Sequence, residues 1–425
     1  MRYAVRQQLR RFQPYRPERL YLYFDAMLVS RRHFFFGSLA IPALAARKSG
    51  PERPNIILIL VDNLPAWMLS CYGNKEVQSP NIQRLSDTGT RCLNHFAAAS
   101  LPELSRATLL TGRTPMQVGD SATPGAADVT LDKLLADAGY ATHAAGALPA
   151  ADAAAAASKL LDQQAAGKPF LLTLSFSDLK PPYEGTPRKY LALYAQEAFA
   201  GYAMDPAAPN ARTGKEMLPN RVANLRKVAA AITALDDSLG ALLATLSQKQ
   251  LLDATLVLLA STSGALYGRH GLWDAGEASD PVNMYDEVVR SPIIWSWPHR
   301  MPPQGVVIEM TSAYDLLPTV CDLLSLAAPG RNLCGRSYLP VAERKKLPKK
   351  QPWRKIVCGH TQNTDMAREE NYKVVLRDGG KGANELYDLV SDPVEKVNLF
   401  DAPEYLDVKN RLSAEITRWK QKYSS

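Results

Sequence analysis

Two short polar stretches stand where apolar runs stop. Asp62-Asn63 closes the run Asn55-Ile56-Ile57-Leu58-Ile59-Leu60-Val61, and Ser261-Thr262-Ser263-Gly264 closes Thr255-Leu256-Val257-Leu258-Leu259-Ala260. In an open α/β sheet, ligands bind beyond the carboxyl ends of strands. An acid, an amide and a row of hydroxyls at two such ends are therefore the first groups to weigh for chemistry. Ser100, Ser105 and Thr108 add hydroxyls, but a hydroxyl becomes a strong nucleophile only beside a base, and nothing in the sequence suggests one. Helix-cap and turn roles suit them better. The five cysteines, Cys71, Cys92, Cys321, Cys334 and Cys358, form no C-x-x-C pair and are too few and scattered for a disulfide framework. A Cys321 to Cys334 bridge and five unpaired, mostly buried thiols are both compatible with their spacing.

The elements that must position these groups are legible in outline. The run between Pro54 and Asp62 is continuous, apolar and β-branched, which predicts a parallel strand covered on both faces, and Phe170-Leu171-Leu172-Thr173-Leu174 reads alike. Helical spacing follows in Leu131 to Ala138, after a Thr130 cap, and in Val222 to Leu246. Strands alternating with helices predict an α/β domain with a mostly parallel central sheet covered by helices. From about Gly330 the texture changes. A basic, Pro-containing stretch from Arg344 to Pro352 precedes short β-like runs at Tyr372 to Leu376 and Leu386 to Leu389, then a charged helix from Glu404 to Lys422. The expected organisation is an N-terminal extension with a signal over 1–46, an α/β domain over 47–329 and a smaller C-terminal α+β subdomain over 330–425. The Lys/Arg cluster reads as a solvated loop.

The 425 residues carry 50 Lys+Arg against 42 Asp+Glu, a net charge of +8. Residues 1–46 hold eight arginines and only Glu18 and Asp25, so +6 of the +8 sits there and the rest has 42 bases against 40 acids. A near-neutral domain gives no field for a polyanion, which excludes nucleic acid as the expected partner. In the same segment, Ser30-Arg31-Arg32-His33-Phe34-Phe35 precedes an apolar run ending in Ala43-Leu44-Ala45-Ala46. This resembles a twin-arginine signal and predicts a bacterial or archaeal protein exported folded, to the periplasm or the extracellular space. Met27, just upstream of the arginine pair, offers an alternative start. The apolar run is shorter than the roughly 20 residues of a membrane span, and no later segment reads as one.

The landmarks in order are Pro54-Asn55-Ile56 through Asp62, Cys71-Tyr72-Gly73-Asn74, Ser79-Pro80-Asn81 to Leu85, Ser105-Arg106 with Leu110-Thr111-Gly112-Arg113, and Thr130-Leu131 to Gly139-Tyr140. His270-Gly271-Leu272-Trp273, Tyr285-Asp286-Glu287 with Arg290-Ser291-Pro292, Asp315 to Thr319 and Leu386 to Leu389 follow. Together they make the chain resemble the sulfatase family of the alkaline phosphatase superfamily over nearly its whole mature length. The resemblance implies that family's fold. It also implies hydrolysis of sulfate esters by a formylglycine, made from the Cys or Ser of a C-x-P-S-R motif, beside a divalent cation, usually Ca²⁺.

Carried over residue by residue, the implied chemistry loses its parts. The C-x-P-S-R motif falls on Pro102-Glu103-Leu104-Ser105-Arg106, so the modifiable position is Pro102, which has no side-chain nucleophile. The family's Asp-Asp metal pair falls on Asp62-Asn63, and its later S-D-H-G or S-D-N-G ligands on Ser261-Thr262-Ser263-Gly264. A Ca²⁺ site with one anionic ligand is weak, so any metal held by Asp62 and Asn63 is expected to be a relict. G-K-W-H falls on Gly146-Ala147-Leu148-Pro149, the His of H-x-P-Y on Lys180, and the Lys after H-G-L-W near Ala275. Arg106 and Lys180 are left as anion-holding groups, and His270 reads as a packing or turn residue. The expectation is a pseudo-sulfatase that binds a sulfated or phosphorylated small molecule or glycan through Arg106, Arg113 and Lys180, or partners an active enzyme. The rival reading is a sulfuric or phosphoric ester hydrolase with an altered, metal-assisted site.

Overall fold

The computed structural model describes residues 53–424 apart from 126–127, 147–148, 164–166, 203–204, 299 and 331. The segment with the paired arginines lies outside the described residues.

Among the described residues nine strands come first in chain order: β1 (Asn55–Val61), β2 (Thr90–Cys92), β3 (His95–Phe96), β4 (Ala141–Ala145), β5 (Phe170–Phe176), β6 (Thr255–Ser261), β7 (Ile293–Ser296), β8 (Gly305–Val307) and β9 (Thr311–Ser312). Seven of them form the main sheet in the order β4-β5-β1-β6-β7-β2-β8, and β3 pairs with β9 apart from it. Only β7 runs against its neighbours β6 and β2, so the sheet is mostly parallel. β1 lies between β5 and β6, with Val61 level with Phe176 on one side and Ser261 on the other. The three central strands therefore end together, and Asp62, Ser175 and Thr262 meet at one carboxyl edge.

Continuous apolar runs mark these strands because both faces are covered. Ile57, Ile59 and Val61 pack into a core with Val228, Ile232 and Leu235 of the helix Arg221–Gln248. Ile56, Leu58 and Leu60 face the opposite core, with Leu109 of the helix Pro102–Thr111 and Leu316, Leu317 and Val320 of the helix Leu316–Leu323. Burying each such aliphatic side chain stabilises the fold by roughly 1.5–3 kcal/mol. Among the described residues one helical stretch, Lys215–Gln248, is long and apolar enough to cross a membrane. It serves as a core helix, with 67% of its most apolar window buried in the protein.

A second, antiparallel sheet follows in the order β10 (Ile356–Thr361), β11 (Thr364–Glu369), β12 (Tyr372–Arg377) and β13 (Glu385–Asp388). The amphipathic helix Leu406–Tyr423 lays Leu412, Ile416 and Trp419 against Val374, Leu376 and Leu386. Between residue 330 and this sheet, Tyr338, Leu339 and Ala342 belong to the core of the large sheet, where Trp295 donates to Tyr338 Oη at 2.6 Å. All five cysteines are free thiols. Cys321 and Cys334 are not bridged, and Cys334 Sγ instead accepts from Trp419 Nε1 at 3.2 Å.

Candidate functional site

Asp62 leaves β1 with its backbone N–H on Phe176 O at 3.0 Å, which fixes its side chain at the sheet edge. One carboxylate oxygen, Oδ1, accepts from Arg106 Nη2 at 2.7 Å and from Thr262 Oγ1 at 2.6 Å. Arg106 Nη1 also donates to Ser175 Oγ at 2.8 Å. The ends of β1, β5 and β6 are thereby tied to one guanidinium carried on the helix Pro102–Thr111. Arg106 reaches them because it lies one helical turn past Pro102, on the face that looks over the strand ends.

Asn63 follows in the left-handed region at φ 58°, a conformation that asparagine tolerates better than most residues. It is fully buried. Its Nδ2 donates to Asp274 Oδ1, and its Oδ1 lies 3.5 Å from Ser263 Oγ, while Tyr267 Oη donates to its carbonyl at 2.7 Å. Asp274 also accepts from Ala275 N at 3.1 Å, and burial raises its pKa. Gly276 presses on Ser100: its N–H donates to Ser100 O at 3.0 Å, and a Cβ on it would lie 2.2 Å from Ser100 Oγ. Glu277 comes next. Burial, then the charge of Asp274, pushes its carboxyl up to about 7, against the pull of Lys180. Its Oε2 is buried without a hydrogen-bond partner among the described residues.

Pro102 occupies the first turn of its helix, where a residue without an N–H is tolerated, and it is buried. Beside it, Glu103 pairs with Lys180 at 3.2 Å. The other nearby hydroxyls are committed or isolated. Ser100 N–H and Oγ bond Thr361 Oγ1, Thr108 Oγ1 donates to Leu104 O at 3.1 Å, and Ser105 Oγ is buried without a partner among the described residues. His270 packs: its ring stacks on Tyr285 at 3.7 Å and its N–H caps Asp205.

The structure thus joins Asp62, Arg106 and Thr262 in one hydrogen-bonded unit, with Asn63 and Ser263 beside it, and sets the Glu103–Lys180 pair on the first turn of the same helix. Arg113 pairs with Asp128 at 2.7 Å, outside that network. Ala147 lies outside the described residues. Sequence reasoning missed Ser175, Glu103, Asp274 and Glu277. The last two had a signal, since they flank Ala275 and Gly276 directly after His270-Gly271-Leu272-Trp273.

The arrangement does not fit a hard divalent cation. Calcium takes six to eight oxygen ligands. Here the guanidinium of Arg106 and the hydroxyl of Thr262 already occupy Asp62 Oδ1, and the amide nitrogen of Asn63 is turned to Asp274. Among the described residues no group of three or more His, Cys, Asp or Glu side chains is placed to hold a metal ion.

Comparison with known proteins agrees with the fold. The profile of the Sulfatase family matches residues 54–151 and 149–326, and that of the N-sulphoglucosamine sulphohydrolase C-terminal region matches 268–422. Human arylsulfatase A is 26% identical over 360 residues, covering 70% of this chain and 69% of that protein. The N-acetylglucosamine-6-O-sulfatase of Bacteroides thetaiotaomicron is 22% identical over 500 residues, covering 89% and 88%. Among solved structures, one in complex with its substrate D-glucosamine-2-N,6-O-disulfate superposes with a TM-score of 0.74 at 20% identity, covering 87% of this chain and 98% of the other. That likeness shows a shared fold. With the family profile spanning most of the large domain and the same mostly parallel sheet beneath it, the chain belongs to the sulfatase family of the alkaline phosphatase superfamily.

Proposed function

We propose that this chain is an exported pseudo-sulfatase, unable to run formylglycine chemistry, that keeps the family's affinity for sulfated or phosphorylated small molecules or glycans. One observation carries the reading. The position of the nucleophile is Pro102, and the groups around it satisfy one another through Arg106, Asp62 and Thr262 instead of facing a reacting sulfate. Formylglycine forms from a thiol or hydroxyl side chain, and a proline ring supplies neither. Arg106 and Lys180 are the cations left to meet an anion. Each rests on a carboxylate, so an incoming sulfate must displace Asp62 or Glu103. The Lys180–Glu103 pair is the easier to exchange, because Glu103 is 65% exposed and exposed pairs contribute only about 0–1 kcal/mol. The relatives support the ligand class, since by its name one acts on the 6-O-sulfate of N-acetylglucosamine. Export rests on the Arg31-Arg32 signal, and loss of periplasmic protein in an Arg31→Lys, Arg32→Lys variant tests it.

The test of inactivity is turnover of 4-nitrophenyl sulfate by the purified full chain, with calcium and with a chelator. The reading expects equal, background rates. A calcium-dependent rate above the chelated control overturns it.

A second reading, a hydrolase with an altered site, is favoured by Glu277. A carboxyl near 7 beside Lys180 has the proton affinity of a general acid. It predicts turnover of a sulfate or phosphate ester that disappears in Glu277→Gln, and stoichiometric metal by elemental analysis if a cation assists.

A further inference from the structure

A pocket of about 190 Å³ opens beside the short helix Asp286–Val289. The backbone of that helix meets the Ser261–Gly264 loop, with Gly264 N–H donating to Val288 O at 2.6 Å, while the side chains of Asp286 and Glu287 line the pocket. Trp67 forms one wall. Its indole N–H is held by Ala265 O at 3.3 Å, and the Arg269 guanidinium lies 4.0 Å over its ring. Val394, 43% exposed, stands at the lining next to Pro393.

The charges around this pocket do not balance. Lys373, fully buried, sits between Asp286 and Glu395, and Arg368 reaches Asp286 Oδ2 at 3.1 Å. Arg269 takes Glu287 Oε1 at 3.1 Å. Four cations, Arg269, Arg290, Arg368 and Lys373, thus meet three carboxylates, Asp286, Glu287 and Glu395. His270 Nε2 lies 3.5 Å from Glu287 Oε2. Burial also raises the Glu395 pKa, so its protonation would widen the excess. Arg290 is the cation without a salt bridge: Asp286, already held by Lys373 and Arg368, is the carboxylate that attracts it, from beyond 4.0 Å. Arg290 Nε donates to Leu93 O at 2.9 Å, and among the described residues its terminal nitrogens find no acceptor and no carboxylate within 4.0 Å. Burial lowers its pKa against the attraction of Asp286, so that carboxylate does not fully offset the cost of burying it. A partly buried guanidinium with unused donors, lining a cavity with an indole wall, matches the planar, multi-donor recognition of oxyanions.

We propose that this pocket binds a single oxyanion group, a sulfate ester or a carboxylate carried on a small molecule or glycan, through the terminal nitrogens of Arg290, with Trp67 and Arg269 as its wall. The inference does not depend on whether the Asp62 site is active. The test is calorimetric titration of the full chain with sodium methyl sulfate and with sodium acetate, against sodium chloride at equal ionic strength. In an Arg106→Gln, Lys180→Gln background, which removes the anion site proposed above, saturable binding of one equivalent is expected, and the tighter of the two probes names the source of the oxyanion. Arg290→Gln should weaken it about tenfold to a hundredfold, the range for a charge-assisted hydrogen bond. Val394→Glu, at an exposed position that puts an anion at the lining, should weaken it as strongly with an unchanged melting temperature, which separates lost binding from lost folding. Absence of saturable binding by either probe in that background, or retention of binding in both Arg290→Gln and Val394→Glu, overturns the proposal.

Discussion

Replacing Asp62 by asparagine separates a structural carboxylate from a metal ligand by the sign of its effect. In the arrangement described, Asp62 Oδ1 is the shared acceptor of Arg106 and Thr262. An amide oxygen at the same position keeps the geometry, so the substitution Asp62→Asn removes chiefly the charge. A neutral hydrogen bond contributes about 1 kcal/mol net, and one to an ionised group roughly twice that. Two bonds each losing about 1 kcal/mol give about 2 kcal/mol. The guanidinium side chain is 25% exposed and its carboxylate 11%, so solvent screening brings the expected loss to about 1.5 kcal/mol. Urea unfolding with a chelator present, followed by fluorescence and far-UV circular dichroism together, reads this as a lower midpoint at unchanged slope. A carboxylate kept for a metal behaves oppositely, because without the ion its charge is an unrelieved cost and its removal stabilises. A midpoint that stays or rises in Asp62→Asn refutes the reasoning, as does a wild-type midpoint that climbs with added calcium.

Other perturbations have equally definite signs. Glu277 has a folded pKa of about 7 against an ordinary 4.5. The folded state then holds a proton that the unfolded state releases, so its contribution is fully present below about pH 4.5 and lost as pH rises to about 7. Glu277→Gln should flatten that window and stabilise the protein at pH 8 by up to about 3 kcal/mol; a pH profile parallel to wild type contradicts it. Lys373→Met leaves Asp286 and Glu395 facing each other without their buried cation, and should cost about 3–5 kcal/mol in chemical denaturation; a loss below about 1 kcal/mol would show the triad to be dispensable. Gly276→Ala drives a methyl into Ser100, whose backbone oxygen is also 2.8 Å from the added carbon, and should cost about 1–3 kcal/mol, read as a lower urea midpoint. Pro102→Cys, coexpressed with a formylglycine-generating enzyme, should gain no aryl sulfatase activity, because on the proposed reading the ligand and acid–base positions stay changed; calcium-dependent turnover would contradict that.

The central sheet was legible because β1, β5 and β6 are covered on both faces, and a strand without a wet face has no reason to interrupt its apolar run. Their ends then located Asp62 and Thr262 without further information, and the family motifs added Arg106. The flanks were harder. β4, Ala-Thr-His-Ala-Ala at the sheet edge, is only half covered and carries no strong apolar signal. β2, β7 and β8 are three or four residues long, too short for periodicity to speak. The smaller sheet starts at Ile356, after a stretch whose Tyr338 and Leu339 serve the larger core, because a change of composition does not report which core a residue joins. In the site, the partners were invisible for a related reason. Ser175 lies inside an ordinary strand run and Glu103 in a helix turn, and only the fold brings them to Arg106 and Lys180. Asp274 and Glu277 sat in plain view beside a known landmark, but their meaning lies in burial, which raises both carboxyls and which the sequence does not display.

The central claim is that the cluster around Arg106 no longer performs sulfate-ester hydrolysis, and a rate comparison tests it most directly. Wild type, Arg106→Gln and Asp62→Asn, each purified from cells that also make a formylglycine-generating enzyme, are assayed with 4-nitrophenyl sulfate at saturating calcium. Three indistinguishable background rates are predicted. A wild-type rate that exceeds both variants, and that the chelator abolishes, contradicts the account.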